Sequence, residues 1–187
     1  ANTGNFLTGI LVATLVGAVI FGGIQRIAKV ASRMVPTMVG LYIIAAFLIL
    51  SKNIADIPGV FALIINDAFT GNAVSGGALG SMIIIGVRRG MFSNEAGTGT
   101  ETMAHGAAKT TEPVREGLVA MLGPFIDTII VCSITAIIIL ISGVYVEDLN
   151  GVSMTAEAFK RELGTPGQIF LTFAVLNFAL STMFGYS

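Results

Sequence analysis

Three residues near the end of the chain have types and a spacing that could bind a small hard cation. Phe178, Ser181 and Thr182 stand at positions i, i+3 and i+4, so on a helix they share one face. Two hydroxyls and a backbone carbonyl are hard oxygen donors, which suit an ion such as Na⁺. The same hydroxyls could instead make ordinary hydrogen bonds between packed helices, each contributing about 0.6 kcal/mol. From the residues alone, both interpretations stay open.

A second candidate is the glycine-rich stretch at residues 68–81, AFTGNAVSGGALGS. Gly71, Asn72, Gly76 and Gly77 disfavour a continuous helix there. Unwound backbone leaves N–H groups free to bind a carboxylate, and the small side chains leave room for a small ligand. Close helix packing through small residues, or a short re-entrant turn, would explain the same composition.

Asp127 is a third candidate, because it interrupts an otherwise apolar stretch. A carboxylate at the centre of a membrane helix costs about 2.5–3.5 kcal/mol on insertion scales. It should therefore face the protein interior, pair with a base or a helix end, or be protonated. A structural tie and a role in ion coupling are both compatible with its position.

The polar block at residues 90–117, GMFSNEAGTGTETMAHGAAKTTEPVREG, resembles neither a phosphate loop nor a catalytic loop. A phosphate loop needs a lysine at the end of its glycine pattern and a preceding strand, and GTGTET has neither. Thr98 and Glu101 fit a helix capping box, and Pro113 can open the next helix. His105 has no serine, cysteine or second histidine placed to form a triad, so we expect a connector and not an enzyme.

The composition predicts that these residues belong to an integral membrane protein. Hydrophobic residues make up 54% of the chain, charged residues 11%, and the mean hydropathy is +0.87. Soluble domains carry about 25% charged residues. The net charge of −1 gives no indication of nucleic-acid binding.

Apolar stretches long enough for about 20 helical residues predict the elements that position the candidates. The expected spans are residues 6–24, 34–50, 57–87 (broken near 71–77), 118–146 and 167–187. The connectors after the first and third spans hold Arg26, Lys29, Arg33, Arg88, Arg89, Lys109 and Arg115, whereas the other two hold Lys52, Lys160 and Arg161. The positive-inside rule therefore predicts that residues 25–33 and 88–117 are cytoplasmic.

The first residue is an alanine and the last residues follow an apolar run directly, so we expect a single-domain internal fragment of a longer transporter-sized protein.

A long ordered set of motifs carries a resemblance to a known family. The stretch GVRRGMFSNEAGTGTETMAHGAAKTTEPVREGL, the later GPFIDTIIVCSITAIIILISG and the upstream FGGIQRIAKVASRMVP resemble the amino acid:cation symporter family, the sodium:alanine/glycine symporters. The resemblance covers nearly the whole chain. It implies symport of a small neutral amino acid with Na⁺ across the cell membrane by alternating access, without covalent chemistry or a cofactor other than the coupling ion. A proton-coupled transporter and a passive channel are the alternatives.

The resemblance also implies a fold and roles for the candidate residues. The fold would be of the leucine-transporter type, with inverted repeats, and this chain would supply about core helices 4 to 8. Phe178, Ser181 and Thr182 would then contribute to a sodium site. The backbone around residues 71–77 would bind substrate, with Tyr186 as a wall of that pocket. Asp127, Asn94 and Glu95 would act in coupling or in closing the inner gate.

Overall fold

The computed structural model describes residues 3–69, 78–95, 97, 99, 102, 105, 106 and 108–186, without the side chains of 3–5 and 78–82. Of the described residues, 86% are helical and none belongs to a strand. The elements in chain order are α1 (Thr3–Ile20), α2 (Gly23–Lys52), α3 (Ile57–Phe69), α4 (Ala78–Asn94), α5 (Pro113–Ala120), a helical turn (Leu122–Pro124), a π segment (Phe125–Cys132), α6 (Ser133–Ser142), a 3₁₀ turn (Val144–Val146), α7 (Val152–Leu163) and α8 (Thr165–Gly185). Residues 71–77, where the third span was expected to break, lie outside the described residues, as do Thr98 and Glu101 of the expected capping box.

Among the described residues, three helical runs are long and apolar enough to cross a bilayer: Gly23–Lys52, Pro113–Ser142 and Thr165–Gly185. Two shorter apolar helices, Phe6–Ile20 and Ile57–Phe69, accompany them. Many large apolar side chains are exposed, among them Ile83, Ile84, Val87, Met91 and Phe92 on α4. Exposed apolar surface of this extent fits contact with lipid or with further membrane helices. The prediction of an all-α membrane protein is confirmed.

The second helix begins earlier than the hydropathy indicates. Residues 25–33, expected to form a connector, are helical and belong to the first turns of α2, so the break after α1 is confined to residues 21–22. Long basic side chains lose little rotamer freedom in a helix, so a charged stretch can continue a helix beyond the hydrocarbon region. Pro36 lies within α2, where it removes one backbone hydrogen bond without ending the helix.

The core forms where one face of α2 meets α6, α7 and α8. The buried residues of α2 are Met38, Tyr42, Ala45, Ala46 and Ile49, which repeat at the spacing of a single helical face. The other buried members of this core are Ile138, Val144, Ala158, Phe159 and Leu171. The ring of Phe159 lies 5.7 Å from that of Tyr42, centroid to centroid. This core holds α8, the helix of the candidate cation ligands, against α2.

The corner between α7 and α8 depends on a glycine. A Cβ added at Gly167 would lie 2.5 Å from the Phe159 carbonyl oxygen and 2.6 Å from Leu163 Cβ, so only glycine allows this close approach. The Asn53 side chain ties the end of α2 to the same corner, since its Nδ2 donates to Glu162 at 2.6 Å. The corner thereby sets the position at which α8 enters the bundle.

Candidate functional site

The candidate cation ligands lie on the last turns of α8. The Ser181 hydroxyl donates to the Phe178 carbonyl oxygen at 2.9 Å, and the Thr182 hydroxyl donates to the same oxygen at 3.0 Å. Three oxygens are therefore gathered at one point of the helix surface. Ser181 is half-buried and Thr182 is exposed. A cation placed there would coordinate hydroxyl lone pairs that the present hydrogen bonds leave free.

Small residues of α1 face this end of α8. A cavity of about 710 Å³ lies between the two helices and is lined by Thr8, Gly9, Val12, Ala13, Val16, Thr182, Met183 and Tyr186. The small side chains of α1 keep the surface near Thr182 open. A further element could therefore approach the hydroxyls from this side.

The end of α4 is hydrogen-bonded to the π segment. Ser93 Oγ donates to Asp127 Oδ2 at 2.6 Å, and Asn94 Nδ2 donates to Thr128 Oγ1 at 2.9 Å. Asp127 and Asn94 were predicted as site residues, whereas their partners Ser93 and Thr128 were not. The partners are about thirty positions apart along the chain, so no local pattern could reveal them.

Asp127 combines partial burial with irregular helix geometry. It is half-buried, and the ion pairs among the described residues involve other acids, with none to Asp127. Its carboxylate accepts the Ser93 hydroxyl instead. Its helix is π-wound from Phe125 to Cys132, a geometry that is frequent at functional sites. The acid is therefore held by hydroxyl groups at a point where the helix is already distorted.

Glu95, directly after α4, connects this helix end to the end of α8. Its backbone has a φ of +55°, which is rare for a residue other than glycine and stores strain of about 1–3 kcal/mol. The Tyr186 hydroxyl, just after α8, donates to the Glu95 carboxylate. Tyr186 is 59% exposed. Three consecutive residues, Ser93 to Glu95, thus join α4 to the π segment and to the end of α8.

The predicted site residues therefore fall into two described groups. One group, at the end of α4, consists of Asn94, Glu95, Asp127 and Tyr186. The other group, on α8, consists of Phe178, Ser181 and Thr182, with Thr182 about one helical turn before Tyr186. The predicted substrate residues Gly71, Asn72, Gly76 and Gly77 lie outside the described residues.

Tyr42 is a central residue that the sequence analysis missed. It is 4% exposed, and its hydroxyl lies 2.5 Å from Thr135 Oγ1. Because Thr135 donates to the Val131 carbonyl, Tyr42 is the donor of this pair. Its ring also meets the Phe178 ring edge-on at 6.5 Å. A tyrosine within an apolar helix needs a buried hydrogen-bond partner, and that requirement was the available signal.

The single histidine pairs with an acid of the next helix. His105 Nδ1 lies 2.7 Å from Glu116 Oε1 in α5, which begins at Pro113 as predicted. Within the part of the chain that the structure describes, no three His, Cys, Asp or Glu side chains converge on a point that could bind a metal. This arrangement fits a connector.

Apolar helices of membrane-spanning length, joined by polar connectors, indicate an integral membrane protein. The chain belongs to the sodium:alanine symporter family, which it matches over residues 1–187. The members of this family are transporters and not enzymes. The resemblance inferred from the motifs is confirmed.

Individual relatives are similar along nearly the whole chain. The sodium/alanine symporter AgcS of Methanococcus maripaludis is 42% identical over 185 residues, which cover 97% of this chain and 41% of that protein. The probable sodium/glutamine symporter GlnT of Bacillus subtilis is 39% identical over 185 residues, covering 98% of this chain and 39% of the relative. A sodium/proton-dependent alanine carrier protein of Bacillus sp. PS3 is 38% identical over 195 residues, covering 96% and 44%. The chain spans about two fifths of the length of the relatives that it matches.

Proposed function

We propose that this chain forms part of a sodium-coupled symporter for a small neutral amino acid in the cell membrane. Membership of the sodium:alanine symporter family is the observation that carries the proposal. Names of relatives that refer to alanine and to glutamine support an amino acid as substrate. We propose alanine or glycine as that substrate, because Gly71, Gly76 and Gly77 of the proposed substrate site carry no side chains.

The proposed Na⁺ ligands are the Phe178 carbonyl and the Ser181 and Thr182 hydroxyls. Their three oxygens lie together on α8, and a cavity bordered by small residues opens beside Thr182. Hard oxygen donors suit a small hard cation. Backbone N–H groups around Gly71, Asn72, Gly76 and Gly77, with Tyr186 as a wall, are the proposed carboxylate site.

The proposed fold is of the leucine-transporter type, with this chain as about core helices 4 to 8. Transport then proceeds by rocking of one helix bundle against another around a site near the middle of the membrane. Asn94, Glu95 and Asp127 belong to the inner gate in this proposal. The contacts at the end of α4 support that role. Movement of α4 relative to the π segment must break the Ser93–Asp127 and Asn94–Thr128 bonds, and movement relative to α8 must break the contact between Glu95 and Tyr186.

A proton-coupled transporter is the second candidate. Asp127 favours it, because this half-buried acid lies within a span-length run and accepts a hydrogen bond from Ser93. The name of the relative from Bacillus sp. PS3 refers to both sodium and protons. In this version, Asp127 is the proton acceptor and the α8 hydroxyls are packing groups.

Uptake by the full-length protein that contains this chain tests both candidates. Proteoliposomes are loaded to give an inward Na⁺ gradient, an inward H⁺ gradient or neither, and radiolabelled alanine is added outside. Saturable uptake with the Na⁺ gradient alone supports the sodium symporter. Uptake with the H⁺ gradient alone supports the proton-coupled transporter, with Asp127 as the proton acceptor. Non-saturating flux that needs no gradient would contradict both and indicate a channel.

A further inference from the structure

Three basic residues form a stripe on the first turns of α2. Arg26, Lys29 and Arg33 are spaced i, i+3 and i+7, so their side chains share one helical face, and all three are exposed. Among the described residues, ion pairs with an N–O distance of at most 4.0 Å are formed by His105, Arg115, Lys160 and Arg161. Across the described part of the chain, Arg26, Lys29 and Arg33 thus have no acidic partner.

The basic stripe borders a groove with two sections. The first, of about 740 Å³, is lined by Gly22, Gln25, Arg26, Lys29, Val30, Arg33 and Met34. The second, of about 250 Å³, lies between α2 and α8 and is lined by Arg33, Met34, Thr37, Met38, Leu41, Phe170, Phe173, Ala174 and Asn177. Arg33 and Met34 line both sections, so the charged section continues directly into the second one.

The second section is apolar beyond Arg33, which joins it to the charged section, although Thr37 and Asn177 are also polar. The Thr37 hydroxyl donates to the Arg33 carbonyl at 2.8 Å, and Asn177 Nδ2 donates to the Phe173 carbonyl at 2.8 Å. Both side chains are therefore satisfied by their own helices. The remaining wall is methionine, leucine, phenylalanine and alanine, which suits a hydrocarbon chain.

The dimensions of the groove match a phospholipid at the edge of a bilayer. Arg26 to Arg33 covers about 10 Å along α2 and Arg33 to Leu41 about 12 Å, at a rise of about 1.5 Å per residue. The polar layer on each side of the hydrocarbon core is about 5–8 Å thick. With Arg33 at the headgroup level, Met38 and Leu41 lie among acyl chains, and the stripe extends through the polar layer to its outer edge near Arg26.

We propose that this groove binds one anionic phospholipid, with its phosphate on Arg26, Lys29 and Arg33 and an acyl chain between α2 and α8. Charge complementarity favours this occupant, since the lining of both sections contains bases and no acid. Basic pockets between membrane helices are known to hold anionic headgroups. The lipid would brace α2 against α8, the helix that carries Ser181 and Thr182.

Native mass spectrometry of the full-length protein in detergent tests the proposal, with phosphatidylglycerol and phosphatidylcholine as probes. We expect one tightly retained phosphatidylglycerol per protein and no retained phosphatidylcholine. Arg33→Gln should weaken retention about fivefold, and the combined Arg26→Gln, Lys29→Gln and Arg33→Gln change on the order of a hundredfold. Lys52→Gln, which removes a base at the other end of α2, is the matched control and should leave retention unchanged.

Other results would overturn the lipid assignment. Equal retention of both lipids, or equal loss in the Arg33→Gln and Lys52→Gln proteins, would mean that the groove does not select a headgroup. Displacement of phosphatidylglycerol by millimolar inorganic phosphate would make the stripe a site for free phosphate. Phe173→Ala, which opens the exposed apolar wall without changing charge, should also weaken retention. Unchanged retention of phosphatidylglycerol by the Phe173→Ala protein would contradict the proposal that an acyl chain lies between α2 and α8.

Discussion

At the residue scale, the oxygens on the last turns of α8 carry the proposed coupling. The Ser181 and Thr182 hydroxyls and the Phe178 carbonyl meet through bonds between positions three and four residues apart, so helix geometry alone brings them together. Thr172 makes the same kind of bond to the Gln168 carbonyl earlier on α8. At the proposed site, Na⁺ binding would therefore depend on what approaches the helix near Thr182, and the cavity beside α1 offers space for that approach.

We expect the combined Ser181→Ala and Thr182→Ala change to raise the Na⁺ concentration for half-maximal alanine uptake at least tenfold. Interactions of polar groups with a charge contribute about 1.5–3 kcal/mol, and about 1.4 kcal/mol corresponds to a factor of ten. Na⁺ titrations of uptake by the full-length protein provide the measurement. Thr172→Ala is the matched control, because it removes an equivalent hydroxyl–carbonyl bond from the same helix. Equal Na⁺ dependence in the double variant and wild type would remove these residues from the site.

Tyr42 contributes to the stability of the fold, because its side chain is buried and its hydroxyl is hydrogen-bonded to Thr135. Removing its hydroxyl by Tyr42→Phe loses one hydrogen bond, worth about 0.5–1.5 kcal/mol, while Thr135 keeps its bond to Val131. Thr135→Val instead leaves the Tyr42 hydroxyl buried without its partner, at about 1–3 kcal/mol. We expect Thr135→Val to lower the thermal unfolding temperature more than Tyr42→Phe does.

Thermal unfolding in detergent measures this order. Tyr145→Phe is the control, because Tyr145 is exposed in the 3₁₀ turn. The reverse order of the two core variants would mean that Thr135, and not Tyr42, supplies the proton of this hydrogen bond.

At the element scale, helix ends decide how the spans are placed. At the end of α4, Ser93 bonds to the π segment and the following Glu95 contacts Tyr186. Asn53, directly after α2, bonds to Glu162 of α7. Arg161 of α7 also donates to the Ser142 carbonyl at the end of α6 and pairs with Glu147. α7 is therefore tied to two neighbouring helix ends, and it provides the buried Ala158 and Phe159 of the core.

Gly167→Ala should disrupt the corner between α7 and α8. The added Cβ would lie 2.5 Å from a backbone oxygen and 2.6 Å from Leu163 Cβ, and overpacking of this kind costs about 1–3 kcal/mol. Gly40→Ala on α2 is the control, because its Cβ would meet nothing within 4 Å and helix propensity favours alanine by about 0.5–1 kcal/mol.

Thermal unfolding of the two glycine variants should therefore shift in opposite directions. Equal unfolding temperatures for Gly167→Ala and wild type would show that the two helices can separate at the corner without loss of stability.

At the scale of the whole molecule, orientation in the membrane follows from the distribution of bases. The charge pattern predicts cytoplasmic positions for residues 25–33 and 88–117, and the opposite side for the connector that contains α7. The proposed inner gate at Asn94, Glu95 and Asp127 requires this orientation, because these residues lie at the end of α4 that leads into residues 95–117.

Labelling of single cysteines tests the orientation. In the full-length protein with Cys132 and any cysteine outside this chain replaced by serine, we expect an impermeant maleimide added to intact cells to label Asn150→Cys but not Ala108→Cys. Both positions are exposed, so access and not burial decides the result. Ala108→Cys should react only after the membrane is permeabilised. Labelling of Ala108→Cys in intact cells would reverse the orientation and move the proposed gate to the outer side.

Several properties could be predicted from the sequence because they depend on local or averaged quantities. A charged fraction of 11% predicts a membrane protein, since too few polar groups exist to cover a soluble surface. The shared face of Phe178, Ser181 and Thr182 follows from helix periodicity. Pro113 starts α5 because proline is compatible with a first helical turn. The motifs around residues 88–117 were sufficient to place the chain in its family.

The tertiary structure decided the features that depend on contacts between distant residues. The partners of Asp127 and Thr128, the burial of Tyr42 among three other helices and the groove between α2 and α8 all join residues far apart in sequence. The start of α2 at Gly23 was also missed, because a loss of hydropathy at Arg26 marks the edge of the membrane and not the end of a helix. Hydropathy and periodicity indicate which face of each segment is apolar. Packing between segments depends on side-chain shape and on hydrogen bonds between helices, which only the assembled structure defines.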